Sequence, residues 1–161
     1  MFLTDLQKLK VTVNIMLLFK TQGKITVDDD KTNITHRFNV PENIKSLKIK
    51  YSYSPKTVED KEVALKLVRD CLEKYDERID GKIEDNLPVK NLITLSLDDS
   101  TSYRGAAHRQ SNEQEHIISE DYASPGFIKG KIIDGEWKIV LNVHYVGCDV
   151  DYNISIDGEV E

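Results

Sequence analysis

The sequence predicts a mainly β protein: an antiparallel β-sandwich, jelly-roll-like, of about seven or eight strands with one inserted amphipathic helix. Three observations carry this. Most apolar runs alternate with polar residues at a period of two, which is the pattern of strands with one wet face. A single segment, 57–79, switches to a period near 3.6. Strand and helix patterns never alternate in the way a doubly wound parallel sheet requires.

Val11, Val13, Ile15, Leu17 and Phe19 form the first alternating face, and the opposite face turns apolar at Met16 and Leu18. Met1–Lys10 are read as an extra turn of helix or a loose end. "QGK" at 22–24 predicts a turn, Ile25–Val27 a short second strand, and "DDDKTN" at 28–33 a polar connection. Ile34, His36, Phe38 and Val40 share one side of the next strand, which Pro41 closes. In "SLKIKYSYS", Leu47, Ile49, Tyr51 and Tyr53 face inward and Lys48, Lys50 and Ser52 outward.

Leu65, Val68, Leu72, Tyr75 and Ile79 then make a narrow helical stripe over 57–79, with a capping box at Thr57–Asp60 and a stop at Asp80-Gly81. Alternation resumes in "NLITLSL" at 91–97. A polar stretch at 98–116 predicts one long loop crossing the sandwich, with a brief strand at 116–118. "FIKGKIIDGEWKIVLNVHY" reads as a hairpin about Asp134-Gly135, and Tyr152, Ile154 and Ile156 mark the last strand. The whole of 1–161 is expected to be one domain.

A net charge of -6 with both signs interspersed argues against a nucleic-acid partner. Two cysteines, Cys71 and Cys148, far apart and without CxxC spacing, are not a disulfide framework and fit a reducing compartment. The apolar run 11–19 is too short to span a bilayer as a helix. Asp5, Asn14 and the lack of a small-residue cleavage site also make it a poor signal peptide, so no membrane partner and a cytoplasmic location are expected.

Chemistry-bearing residues concentrate in 98–116. Asp98 and Asp99 follow a strand, where a carboxylate caps a turn or binds calcium, but the spaced D-x-D-x-D-G pattern is missing. Tyr103, Arg104, His108 and Arg109 surround Gly105, Ala106 and Ala107, small residues that admit a close backbone or ligand. An arginine here either chelates a carboxylate or phosphate, or pairs with Asp98, Asp99 or Glu113 and pins the loop, and the structural role is favoured. The four histidines never occur as HxH, HxxxH or HExxH; His108 and His116 are the pair a small metal-dependent phosphoesterase would need, short of the three ligands usual for catalytic zinc. His144 shares a strand face with Lys138 and Asn142 and reads as a sheet-surface imidazole. No GxSxG elbow or GxxxxGK[ST] loop occurs.

"HRFNVPENIKSLKIKYSYSP", "NLITLSLDDSTSYRGAAHRQSNEQEHIISEDYASPGFIKGKI", "GEWKIVLNVH" and "DYNISI", in this order, resemble the N-terminal β-sandwich of CehA/McbA-type metallohydrolases of the polymerase-and-histidinol-phosphatase (PHP) superfamily. The resemblance runs over about residues 34–157, and its most specific part is Leu97–Gly130, with the aspartate pair, "RG..HR" and "SPGF..G". In that family the catalytic domain follows the sandwich and opens with an HxH signature absent from these 161 residues, so no metal ligand or catalytic residue carries over. What the resemblance implies is a non-catalytic accessory module, free-standing, split or truncated, with divalent metals only in the family's catalytic domain and no cofactor in this chain. Its expected partner is a PHP-type metallohydrolase domain or subunit. The independent alternative is a glycan- or small-anion-binding module that uses Asp98, Asp99, Tyr103, Arg104, His108 and Arg109.

Overall fold

The computed structural model describes residues 12–161, so the expectation for Met1–Lys10 lies outside the described residues. Among the described residues eight strands form two four-stranded antiparallel sheets. They are β1 (Asn14–Ile25), β2 (Asn33–Val40), β3 (Ile44–Ser54), β4 (Leu92–Asp98), β5 (Tyr103–Ala107), β6 (Glu113–Ser119), β7 (Gly135–Tyr145) and β8 (Val150–Val160). Their orders are β1-β8-β3-β6 and β2-β7-β4-β5. The pairs β1·β8, β2·β7, β3·β6 and β4·β5 are nested, as if a ribbon of the first four strands were laid against the last four and then rolled up. Every connection except β4–β5 passes from one sheet to the other. That is the jelly-roll arrangement.

The inward residues of both sheets make one core. Leu47, Ile49 and Ile154 meet Ile93, Leu95, Leu97, Trp137, Ile139 and Leu141, all completely or almost completely buried. The face assignments expected for the strands at 34–40 and 47–53 hold position by position, and in β7 Trp137, Ile139, Leu141 and Val143 turn inward.

Several local expectations are corrected. β1 runs unbroken through "QGK" to Ile25, and Val27–Asp29 is a 3-10 turn, not a second strand. Gly23 serves close packing here, because a Cβ on it would lie 2.6 Å from the Tyr152 hydroxyl. The helix, α1 (Lys61–Lys74), is shorter than 57–79. Thr57 is held extended by a bridge to Lys90, and Asp60 caps α1 by accepting from the Glu62 and Val63 amides. Of the helix residues only Ala64 is buried, so the apolar stripe of α1 is half wet.

The stretch 98–116 is not a single loop. It contains β5 and the start of β6, and the brief strand expected at 116–118 belongs to this longer one. Nor do 127–133 form a hairpin arm against β7, whose neighbours are β2 and β4. The carbonyls of Ile128, Gly130 and Lys131 are instead turned onto the Arg104 side chain. No helix among the described residues is long and apolar enough to cross a membrane.

Candidate functional site

The two halves of the 98–109 segment have different fates. Asp99 opens the β4–β5 turn: its Oδ1 accepts from the Thr101 and Ser102 amides at 2.7 and 2.6 Å, and its Oδ2 accepts from Arg104 Nη1 at 3.2 Å. Burial alone would push the Asp99 carboxyl up, but the two amides and then the guanidinium outweigh it and hold it below the usual carboxylate range.

Arg104 is 4 % exposed and donates further to the carbonyls of Ile128, Lys131 and Gly130 at 3.2, 3.1 and 3.0 Å. Its guanidinium lies 5.3 Å from the Trp137 ring. Four donations leave Arg104 almost nothing to offer a ligand. Of the two roles weighed for an arginine here, Arg104 takes the pinning one, with Asp99 as its partner.

Gly105 beside it has φ +108°, and a Cβ there would lie 2.3 Å from the Gly126 carbonyl oxygen. The "SPGF" turn and β5 therefore cross with backbone on backbone, and only glycine fits.

His116 and His108 do not converge. His116 is wholly buried on the inner face of β6, with Nε2 against Gln114 Oε1 at 2.9 Å, its ring 4.9 Å from Phe127, and Nδ1 without a partner. Burial first, and the Arg109 charge second, push its pKa down to about 4, so the ring is neutral near pH 7. His108 is exposed at the end of β5, and its neighbour is His144 of β7, with ring centroids 6.1 Å apart. Among the described residues no group of three or more His, Cys, Asp or Glu is placed to hold a metal ion.

His108 and Tyr103 belong to an open groove of about 390 Å³ on the outer face of the β2-β7-β4-β5 sheet. Ser96 and Ala106, opposite one another in register, form its floor. Asn142 and His144 stand on one side, His108 and Tyr103 on the other, and Lys31 closes an end. Thr94 Oγ1 lies 2.8 Å from His144 Nε2 and orients the imidazole, while Asn142 Nδ2 donates to Ser96 Oγ at 3.3 Å. Tyr103 is 56 % exposed and presents its ring to solvent.

Of the six residues singled out from sequence, Tyr103 and His108 line this groove and Asp99 and Arg104 form the buried pair. Asp98 sits opposite Tyr103 and Lys138 in the ladder, and Arg109 is exposed beyond β5. Ser96, Asn142 and Lys31 are groove residues that the sequence did not single out, and His144, expected as a sheet-surface imidazole beside Lys138 and Asn142, lines the groove as well. The signal present was the row of small or amide side chains at the outward positions of β4 and β7, which converges on His108 only once the order β7-β4-β5 is known.

A second concavity of about 560 Å³ lies between α1 and the sandwich, with Leu67, Leu72, Ile79, Val89 and Tyr145 on its walls. It is the more apolar of the two, with Lys74, Asn86 and Glu77 among its polar lining. Searched against protein-family models and against curated proteins, the chain matches none.

Proposed function

We propose that this chain is a non-catalytic β-sandwich binding module that holds a glycan on the outer face of the β2-β7-β4-β5 sheet. One observation carries the reading: Tyr103 of β5 and His108 just after it converge with Asn142 and His144 of β7 over the small-residue floor Ser96 and Ala106. A saccharide presents closely spaced hydroxyls on its edges and an apolar CH face. Amide, hydroxyl and imidazole groups match the edges, and an exposed tyrosine ring matches the face. Among the described residues no carboxylate lines the groove, whereas glycoside hydrolysis ordinarily requires two, so the reading is of binding rather than cleavage. Fold supports this only by analogy, since jelly rolls include lectin domains.

Titration calorimetry with neutral and uronic-acid oligosaccharides tests the proposal. Binding that weakens at least about tenfold in Tyr103→Ala, with an unchanged melting temperature, is the expected result. Heats absent for every sugar, or equal affinity in the variant, contradict it.

A second reading follows from the resemblance of Leu97–Gly130 to the sandwich of PHP-type metallohydrolases. Here the module works beside such an enzyme and brings polymer substrate toward its metal centre. Co-purification with a PHP-type catalytic chain at micromolar concentration is the expected outcome. Its failure would remove the docking role and leave the glycan reading standing.

A further inference from the structure

We propose that two copies of this chain pair through the first half of β1, joining their β1-β8-β3-β6 sheets into one continuous eight-stranded sheet. β1 is an edge strand, and among the described residues no strand pairs with its outer edge, which presents a row of backbone donors and acceptors. Val13, Ile15, Met16 and Leu17 are 50, 61, 45 and 58 % exposed, the densest run of exposed large apolar side chains among the described residues. Ile15 and Leu17 lie opposite Glu159 and Asp157 of β8 and share the outward face with them.

The other three edges are protected in the ways proteins usually protect them. β6 carries Glu113 and Glu115 and is bridged to Ala123 through Ile118. β5 has only five residues and is bridged to Phe127 through Gly105. β2 alternates Asn33, Thr35, Arg37 and Asn39 outward. In β1 the lysines begin only at Lys20, after the bulge between Leu17 and Phe19.

The charge pattern selects a second copy as the occupant. Residues 13–18 read V-N-I-M-L-L, without a charge of either sign. In any antiparallel register within this segment each residue faces an apolar group or Asn14 of the other copy, and like charges never oppose each other. The outward pair Ile15 and Leu17 would meet the same pair of the other copy, each shielding part of the other from water. Because the segment is short, the pairing is expected to be weak, roughly micromolar or above. The groove lies on the other sheet, so the inference rests on no part of the glycan reading.

Sedimentation velocity on the full chain, from roughly 1 µM to 1 mM, gives the test. A concentration-dependent monomer–dimer equilibrium is expected, weakened at least about tenfold in the Ile15→Lys/Leu17→Lys variant, whose outward positions leave the core untouched. Amide exchange on the unmodified chain gives an independent readout, with the amides of residues 13–17 slowing as concentration rises. A chain that stays monomeric throughout overturns the inference, and so does a dimer that persists unchanged in the variant. Protection of these amides that does not depend on concentration also overturns it and assigns the edge to another segment of the same chain.

Discussion

Arg104 shows how one side chain can be ambiguous in sequence and unambiguous once its surroundings are fixed. "YRGAAHR" offers two arginines, and spacing alone does not tell which is buried. The structure buries Arg104 because Asp99, the Trp137 ring and three turned carbonyls all lie within its reach, while Arg109 stays in solvent. Removing one partner of a buried pair leaves the other charge uncompensated. Arg104→Met is therefore expected to cost about 3–5 kcal/mol in urea unfolding, whereas Tyr103→Ala, at an exposed position, should cost under about 0.5 kcal/mol.

The buried His116 carries the main pH dependence expected between neutral and mildly acid conditions. Its folded pKa of about 4 lies below the ordinary histidine value, so on acidification the unfolded chain takes up the proton first. The associated stability is complete above about pH 6.5 and drains away as pH falls toward about 4, a change on the order of 3 kcal/mol. Asp99, whose carboxyl is held low, loses its contribution only at still lower pH, as it protonates below the usual carboxylate range. His116→Leu should flatten the upper part of the profile and leave the Asp99 part. Equal slopes in both proteins between pH 6.5 and 4 would contradict this assignment.

Among the elements, strands with one wet face were legible because period-two alternation directly reports which residues turn inward. The errors fell where local chemistry was outbid by a distant partner. Asp134-Gly135 is a strong hairpin signal, yet Arg104 claims the carbonyls a hairpin arm would have paired. "QGK" looked like a turn because the Tyr152 ring that needs Gly23 lies more than a hundred residues away. The period marks the helix, but the chain leaves it before the Asp80-Gly81 stop: Asp76 already has φ +49° and α1 ends at Lys74.

The crossing of β5 and the "SPGF" turn gives the sharpest test at this scale. Gly105→Ala would place a methyl group 2.3 Å from the Gly126 carbonyl oxygen at a φ that disfavours any side chain. A loss of several kcal/mol or failure to fold is expected. A fully stable Gly105→Ala protein, read by melting temperature, would show that the two segments do not cross so closely.

For the whole molecule, the sequence pointed to a sandwich but not to the order of its strands, since nested pairing is a property of contacts between distant segments. That order creates the groove: β4 lies between β7 and β5, so Asn142 and His144 face Tyr103 and His108 across Ser96. The buried Asp99–Arg104 pair holds the turn that starts β5, and thereby sets the position of Tyr103 and His108. Scaffold and site are thus interleaved along the same dozen residues, which is why the sequence stretch looked like an active site while half of it is structural.

The most direct measurement is an amide-resolved NMR titration of the full chain with the oligosaccharides that give heat in calorimetry. Binding as proposed shifts the resonances of Ser96, Tyr103, Ala106, His108, Asn142 and His144 together, and leaves Leu67, Leu72 and Val89 in the cleft beside α1 unmoved. Shifts confined to that cleft, or spectra unchanged at saturating sugar, would contradict the groove as the site.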